Sequence, residues 1–246
     1  MLQADQALAR KQAAFREAMA RYEGRPIYKG IDRACSVLNL GLQAGLLWKA
    51  FTVDLPLRWL LLALVLAYVL ADLFNGLTHL LMDHADQYAG FAGPLIAKFH
   101  LHHKLLYYPV QPLLAVYFQE SGAKIWMVFY LAGLLALAPH LPPFALHLLT
   151  YVAIWSSVAE VSHYLCHNSN AKAALWLAEA GLLLRKQHHA AHHQQDNTRY
   201  CFLNGMADPL VDWIARKWFR GYKNDTDLHF LGYSGVLDND PAHPMR

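Results

Sequence analysis

Apolar positions run almost unbroken from Leu57 to about Leu81. At ~1.5 Å rise per residue such a helix outlasts the ~30 Å of bilayer hydrocarbon, so the pattern predicts a membrane span. A moderately apolar stretch from about Ser36 to Val53, with Trp48 and Lys49 near its far end, predicts a first span; Asp54 and Pro56 turn the chain between the two. Residues 2–23 are Ala-rich with interspersed charges and read as a cytoplasmic or interfacial helix, stopped by Gly24 and Pro26. Ile125–Ala138 is apolar but short, which alone suggests an interfacial or re-entrant helix. The turn Pro139-His140-Leu141-Pro142-Pro143 then feeds a long helix over about Phe144–Leu165. Residues 84–122 read as a long loop or amphipathic section, Ala171–Leu184 and Asp208–Phe219 as amphipathic, and 221–246 as a polar tail. With no repeat and no low-complexity linker, residues 1–246 read as one all-α membrane domain.

Four histidine windows punctuate this pattern: His79-x3-Asp83-His84, His100-x-His102-His103, His163-x3-His167 and His188-His189-x2-His192-His193. They hold eleven of the 15 histidines. Residues three or four apart share a helix face, so His79 with Asp83 and His163 with His167 can each point at one metal, and His189, His192 and His193 lie on one side of their helix. His102 and His103 are adjacent and would diverge in a regular helix, which suits two separate ions or a helix end. A single structural zinc needs only four ligands. Mixed imidazole–carboxylate sets with open positions point to non-haem iron that activates O₂.

Asp72, Asn75, His79 and Asp83 form one polar stripe on an otherwise apolar helix, and such groups in a span face a cavity or a partner. Asp72 is expected to hydrogen-bond a ligand imidazole and fix its tautomer, and Glu160, three before His163, to do the same or bind metal. His84, His100 and His188 are candidates for lining the site. His140 and His147 read as packed residues toward the opposite face, and His229 and His243 as tail residues.

Composition sharpens the class. Apolar residues make up 56% and charged residues 16%, against roughly 25% charged in soluble domains. The net charge of +3 is mild, but seven of the 21 Lys and Arg fall in residues 1–33 and nine beyond His167. Basic flanks beside apolar spans place both regions in the cytoplasm. With the N-terminus inside, the second span ends inside and carries His79 and Asp83 there. For His163 and His167 to reach the same face, the short third helix must cross, which gives four spans and a cytoplasmic helical cap. Residues 1–33 lack the apolar core of a cleavable signal, so the first internal span would serve as the membrane address. Cys35, Cys166 and Cys201 form no C-x2-C pair, which argues against a disulfide framework or a thiolate zinc site. No basic stripe interleaved with aromatics suggests nucleic acid.

The run Ala71-Asp72-Leu73-Phe74-Asn75-Gly76-Leu77-Thr78-His79-x3-Asp83 resembles the first metal motif of the Kua-type lipid desaturases, which include plasmanylethanolamine desaturase and the plastid enzyme acting on palmitate in phosphatidylglycerol. The pair His102-His103, His163-x3-His167, Arg185-Lys186-x-His188-His189-x2-His192-His193, Thr198-Arg199-Tyr200-Cys201, Asn204-Gly205 and Pro209-Leu210 follow in family order. The resemblance covers about residues 65–220. The chain also departs from the family: His84 makes an H-x4-H box like that of acyl-CoA desaturases, and Phe99–Lys104 is similar to the fatty acid and sterol hydroxylases. Residues 104–111 lack the family's polar pattern.

The resemblance implies a di-iron centre with His79, Asp83, His102, His103, His163, His167, His189, His192 and His193 as ligands. It implies O₂-dependent removal of two hydrogens from a lipid alkyl or acyl chain, giving a vinyl ether or an alkene, in a bacterial inner membrane if the source is bacterial. Electrons would come from an external donor of ferredoxin or cytochrome b5 type, since the chain has neither a G-x-G-x-x-G fingerprint nor C-x-x-C-H. A hydroxylase using the same metals is the alternative. A non-catalytic membrane metal carrier is a second one.

Overall fold

In the computed structural model, residues 2–85, 87–103, 110–120, 124–195 and 198–219 are described, and among them there is no strand. Ten α-helices follow in order: α1 Leu2–Gly24, α2 Pro26–Phe51, α3 Leu57–Asp83, α4 Gly93–His100, α5 Leu113–Glu120, α6 Ile125–Leu137, α7 Pro143–Asn168, α8 Lys172–Glu179, α9 Lys186–Gln195 and α10 Asp208–Trp218. The section expected as a long loop or amphipathic stretch over 84–122 contains two short helices among its described residues. The first apolar helix begins at Pro26 rather than near Ser36. Proline at the first helical position is pre-set for the helix and lacks only an N–H that would go unused there. Hydropathy sees the apolar turns and misses this polar start.

The centre is the pairing of α3 with α7. Ala63, Ala67 and Ala71 make a fully buried small-residue stripe on α3 against Tyr151, Val152 and Ala159 of α7. Without side-chain bulk the two backbones approach closely, which is how apolar helices gain contact where hydrocarbon surrounds them. The outer flank of α3 leaves Leu61 and Val65 more than half exposed. Both α3 and α7 are long and apolar enough to cross a membrane. The α2 helix closes a second cluster, with Leu46 and Ala50 against Met127, Leu131 and Leu134 of α6 and Leu146 of α7.

The C-terminal ends of α3 and α7 converge on one place, so these neighbours run parallel and residues 84–142 must return to the far end. The α6 helix, continued by a 3-10 turn through His140, makes that return. Around the convergent ends lie the short helices. Phe15 and Ala18 of α1 pack on Tyr88 and on Ala97 of α4, while Val211 and Ala215 of α10 pack on Leu80 of α3 with Tyr200 and Cys201. Gly76 faces the Cys201 thiol so closely that a Cβ there would collide with it. That fit lets residues 198–207 lie directly on α3.

Candidate metal centre

The four windows meet. His79 and Asp83 occupy the last turns of α3, His163 and His167 those of α7, and His189, His192 and His193 lie on α9. His102 and His103 sit on a single 3-10 turn that closes α4. Two groups result: His79, His102, His103 and His192 in one, and His163, His167, His189 and His193 in the other. Within each, the ligand atoms lie within 4.8 Å of one another. The groups abut, with ring centroids of His102 and His163 5.6 Å apart and those of His103 and His193 5.3 Å apart.

Of the two arrangements open to adjacent His102 and His103, separate ions or a helix end, the structure has the helix end: the 3-10 turn brings both to the first group, with ring centroids 4.1 Å apart. The α9 residues divide instead, His192 to the first group and His189 and His193 to the second. On one side of α9, positions 192 and 193 still differ by about 100° of rotation.

The first group is anchored by the backbone. His79 Nδ1 donates to the Tyr200 carbonyl at 2.8 Å, His102 Nδ1 to that of Phe99 at 2.6 Å, and His192 Nδ1 to that of Thr198 at 2.7 Å. Each bond fixes the tautomer that turns a bare Nε2 inward. Asp83 is fully buried among these nitrogens: Oδ1 stands 3.0 Å from His103 Nε2, and Oδ2 3.5 Å from His79 Nε2 and 3.6 Å from His192 Nε2. In the second group the inward Nε2 atoms face one another, His163 to His189 at 2.8 Å, His189 to His193 at 2.8 Å, His167 to His189 at 3.0 Å and His163 to His167 at 3.1 Å.

Burial lowers the proton affinity of these rings. The His102 pKa is pushed down to about 4, chiefly by desolvation, against the pull of its bond to Phe99. Those of His189, His192 and His193 are also lowered, first by burial and then by the facing imidazoles. The rings are therefore held neutral, the state in which imidazole binds metal.

The residues fit a pair of metal ions. His192 Nε2 is buried and takes no hydrogen bond. In the second group, four nitrogens that each hold either a proton or a lone pair cannot satisfy every one of those mutual contacts. Metal–nitrogen bonds of ~2.1 Å would set neighbouring ligand nitrogens about 3 Å apart, close to the spacings found. The donor set, imidazoles with one carboxylate, matches non-haem iron as well as zinc.

Other candidates fall beside the metal groups. His100 is buried with Nδ1 on the Tyr88 hydroxyl at 2.7 Å and Nε2 on the Met82 carbonyl at 2.8 Å, so both its nitrogens are engaged away from metal. His84 Nδ1 bonds the Leu80 carbonyl and its ring lies on Phe219. His188 pairs with Asp208 at 2.5 Å. Asp72 does not reach an imidazole: its carboxylate accepts the N–H groups of Leu203, Asn204, Gly205 and Ala207, at 3.0–3.4 Å. It pins to α3 the same loop whose Tyr200 and Thr198 carbonyls orient His79 and His192. Backbone carbonyls thus do what was expected of Asp72.

Asn75 and Glu160 turn to Lys124, at 3.1 and 2.7 Å. Lys124 was not anticipated, and its only signal was a lone cation directly before an apolar helix. Cys166 belongs to the buried core of α3 and α7, outside both metal groups. His147 lies buried near the start of α7 beside Tyr151, and His140 is exposed. The segment 104–109, His229 and His243 lie outside the described residues.

A family model described as a lipid desaturase domain matches residues 68–220. The match takes in all four windows, Lys124 and the loop that Asp72 pins. No curated protein and no solved structure matches the chain.

Proposed function

Since this chain belongs to the lipid desaturase family, we propose that it is a membrane di-iron enzyme that introduces a double bond into a phospholipid alkyl or acyl chain, with vinyl ether formation of the plasmanylethanolamine desaturase kind. One observation carries the reading: eight histidines and Asp83, drawn from four distant windows, converge in two abutting groups. A single structural zinc would be satisfied by four ligands, and this set offers nine. The overall balance is one lipid –CH₂–CH₂– unit, O₂, two electrons and two protons giving –CH=CH– and two waters. The electrons come from an external donor of ferredoxin or cytochrome b5 type.

When bound, the iron pair supplies the O₂-derived oxidant that removes hydrogen from an unactivated C–H bond. The chain does the rest. His79, His102, His103, Asp83 and His192 hold the first ion; His163, His167, His189 and His193 hold the second. The Tyr200, Phe99 and Thr198 carbonyls keep three of these rings aimed before metal arrives. Phe202 lies against His79 and His163, each at 5.5 Å between centroids, and keeps water from that side. In this reading α2 and α6 join α3 and α7 as four spans, and the helical cap with the metals lies on the cytoplasmic side, as the basic flanks favour.

Lipid mass spectrometry on cells expressing the chain tests this against His192→Ala. A lipid lighter by two hydrogens, absent with the variant, is expected. A product heavier by one oxygen would replace desaturation with hydroxylation, and stoichiometric zinc or nickel with no product would replace catalysis with metal carriage.

A further inference from the structure

Lys124 lies just ahead of α6, 6% exposed, with its carbonyl accepting a hydrogen bond from Asn39 Nδ2 of α2 at 3.4 Å. Its ammonium has three N–H groups. They are directed at Asn75 Oδ1 of α3 at 3.1 Å, at Glu160 Oε1 of α7 at 2.7 Å, and at the Ser156 carbonyl of α7. Asn75 stands one helical turn before His79, and Glu160 one turn before His163. The same ammonium lies 5.1 Å from the ring centroid of Phe202, the side chain packed against both His79 and His163. One buried cation therefore ties α3 to α7, each of which supplies part of one metal-binding group, a single turn beneath His79 and His163, and it lies by the ring packed against both.

We propose that Lys124 is a positioning residue that sets the separation of the two metal-binding groups. This rests on the reading of those groups as a metal pair. A buried ion pair is a weak source of stability, because desolvating two charges offsets most of their attraction. Its value lies in direction: three donors aimed at two helices fix one spacing, which a greasy contact would leave adjustable. Two metals act on one O₂ only if their spacing is held, so the clamp bears on turnover rather than on lipid binding.

The test uses the full chain loaded with manganese(II) alone, read by electron paramagnetic resonance, in which two nearby ions give a spin-coupled spectrum and distant or single ions do not. Lys124→Met strands the Glu160 carboxylate in a buried place, and its misfolding for that reason alone would not bear on spacing. The double variant Lys124→Met/Glu160→Leu removes both charges together and is the decisive protein. It is expected to fold and to bind two manganese ions per chain. Its coupled spectrum should be lost or shifted, with kcat falling by ~10-fold or more and KM for lipid unchanged, as for other groups that orient metal ligands. A double variant with the wild-type spectrum and kcat would overturn the proposal. So would one that fails to fold, since the pair would then serve folding only. If the wild-type protein itself shows no coupled pair, the metal-pair reading falls, and that failure is distinguishable because it precedes any substitution.

Discussion

The two imidazole groups are alike in composition and unlike in how they are held. In the first, His79, His102 and His192 each donate Nδ1 to a backbone carbonyl, and Asp83 stands among the inward nitrogens. In the second, the closest contacts are between the rings themselves, and His189 Nδ1 is buried without a hydrogen bond, as is His103 Nδ1 in the first. The first site is built by the chain before metal arrives. In the second, His189 Nδ1 has no such anchor. Pre-organisation of ligands by their outer partners raises affinity, so the two sites should differ in how tightly and how soon they fill.

The largest effects come from removing a ligand. Asp83→Ala and His192→Ala should abolish turnover while membrane insertion persists, and metal analysis should find one ion per chain for each variant and two for the wild type. His193→Ala should also stop turnover, with the first site still filled. Retained activity in any of the three would strike that residue from the ligand set. Loss of both ions from every variant would show that the groups fill as one unit, and the contrast between them would go.

A smaller effect separates anchoring from ligation. Asp72→Ala takes four backbone N–H groups off their carboxylate and frees the loop that presents the Tyr200 and Thr198 carbonyls. Metal affinity at the first site should fall by about 10–100-fold, with the second little changed. Equal weakening of both in a chelator titration would mean that the loop supports the fold as a whole rather than one site. In the wild type, the same titration should be biphasic, the second site emptying first.

Acid sharpens the comparison further. In the metal-free protein the His102 pKa is held at about 4, against an ordinary value of 6.5, by burial. Between those values the unfolded chain binds a proton that the folded chain refuses, so stability rises with pH across the window. The burial of His189, His192 and His193 acts in the same direction. Melting of the metal-free protein should therefore weaken steadily as pH falls from about 7 toward 4 and change little above 7. A melting temperature that stays level to pH 5 would mean that these rings are open to water.

Much of this centre is legible in the sequence because helical spacing is a local property. The pairs His79/Asp83 and His163/His167 need only the rule that residues four apart share a face. The split of α9 between the groups is not local: it depends on how α9 is rotated against α3 and α7. Nor is the work of Asp72, whose four partners lie more than 130 residues away. Lys124 was hidden for a different reason. A cation before an apolar helix reads as a membrane flank, and only the packing of α6 beside α2 and α7 turns it inward between Asn75 and Glu160. The polar start of α2 escaped because hydropathy reports burial in lipid and not helix formation.

The smallest expected effect is the most useful control on buried histidine as such. His147 is 2% exposed, as deeply buried as His79, and lies on the same helix as His163. Its Nδ1 stands 3.1 Å from the Tyr151 hydroxyl, and its ring lies edge-on to Phe51 of α2. Sixteen residues of helix put it about 24 Å from His163, at the far end of the bundle. Sites that far apart with no shared partner act independently. His147→Ala should thus cost some stability through the lost ring while leaving turnover per folded protein within about twofold and metal content at two. Loss of metal or activity in this variant would mean that burial of imidazole, rather than convergence of imidazoles, had been mistaken for the site.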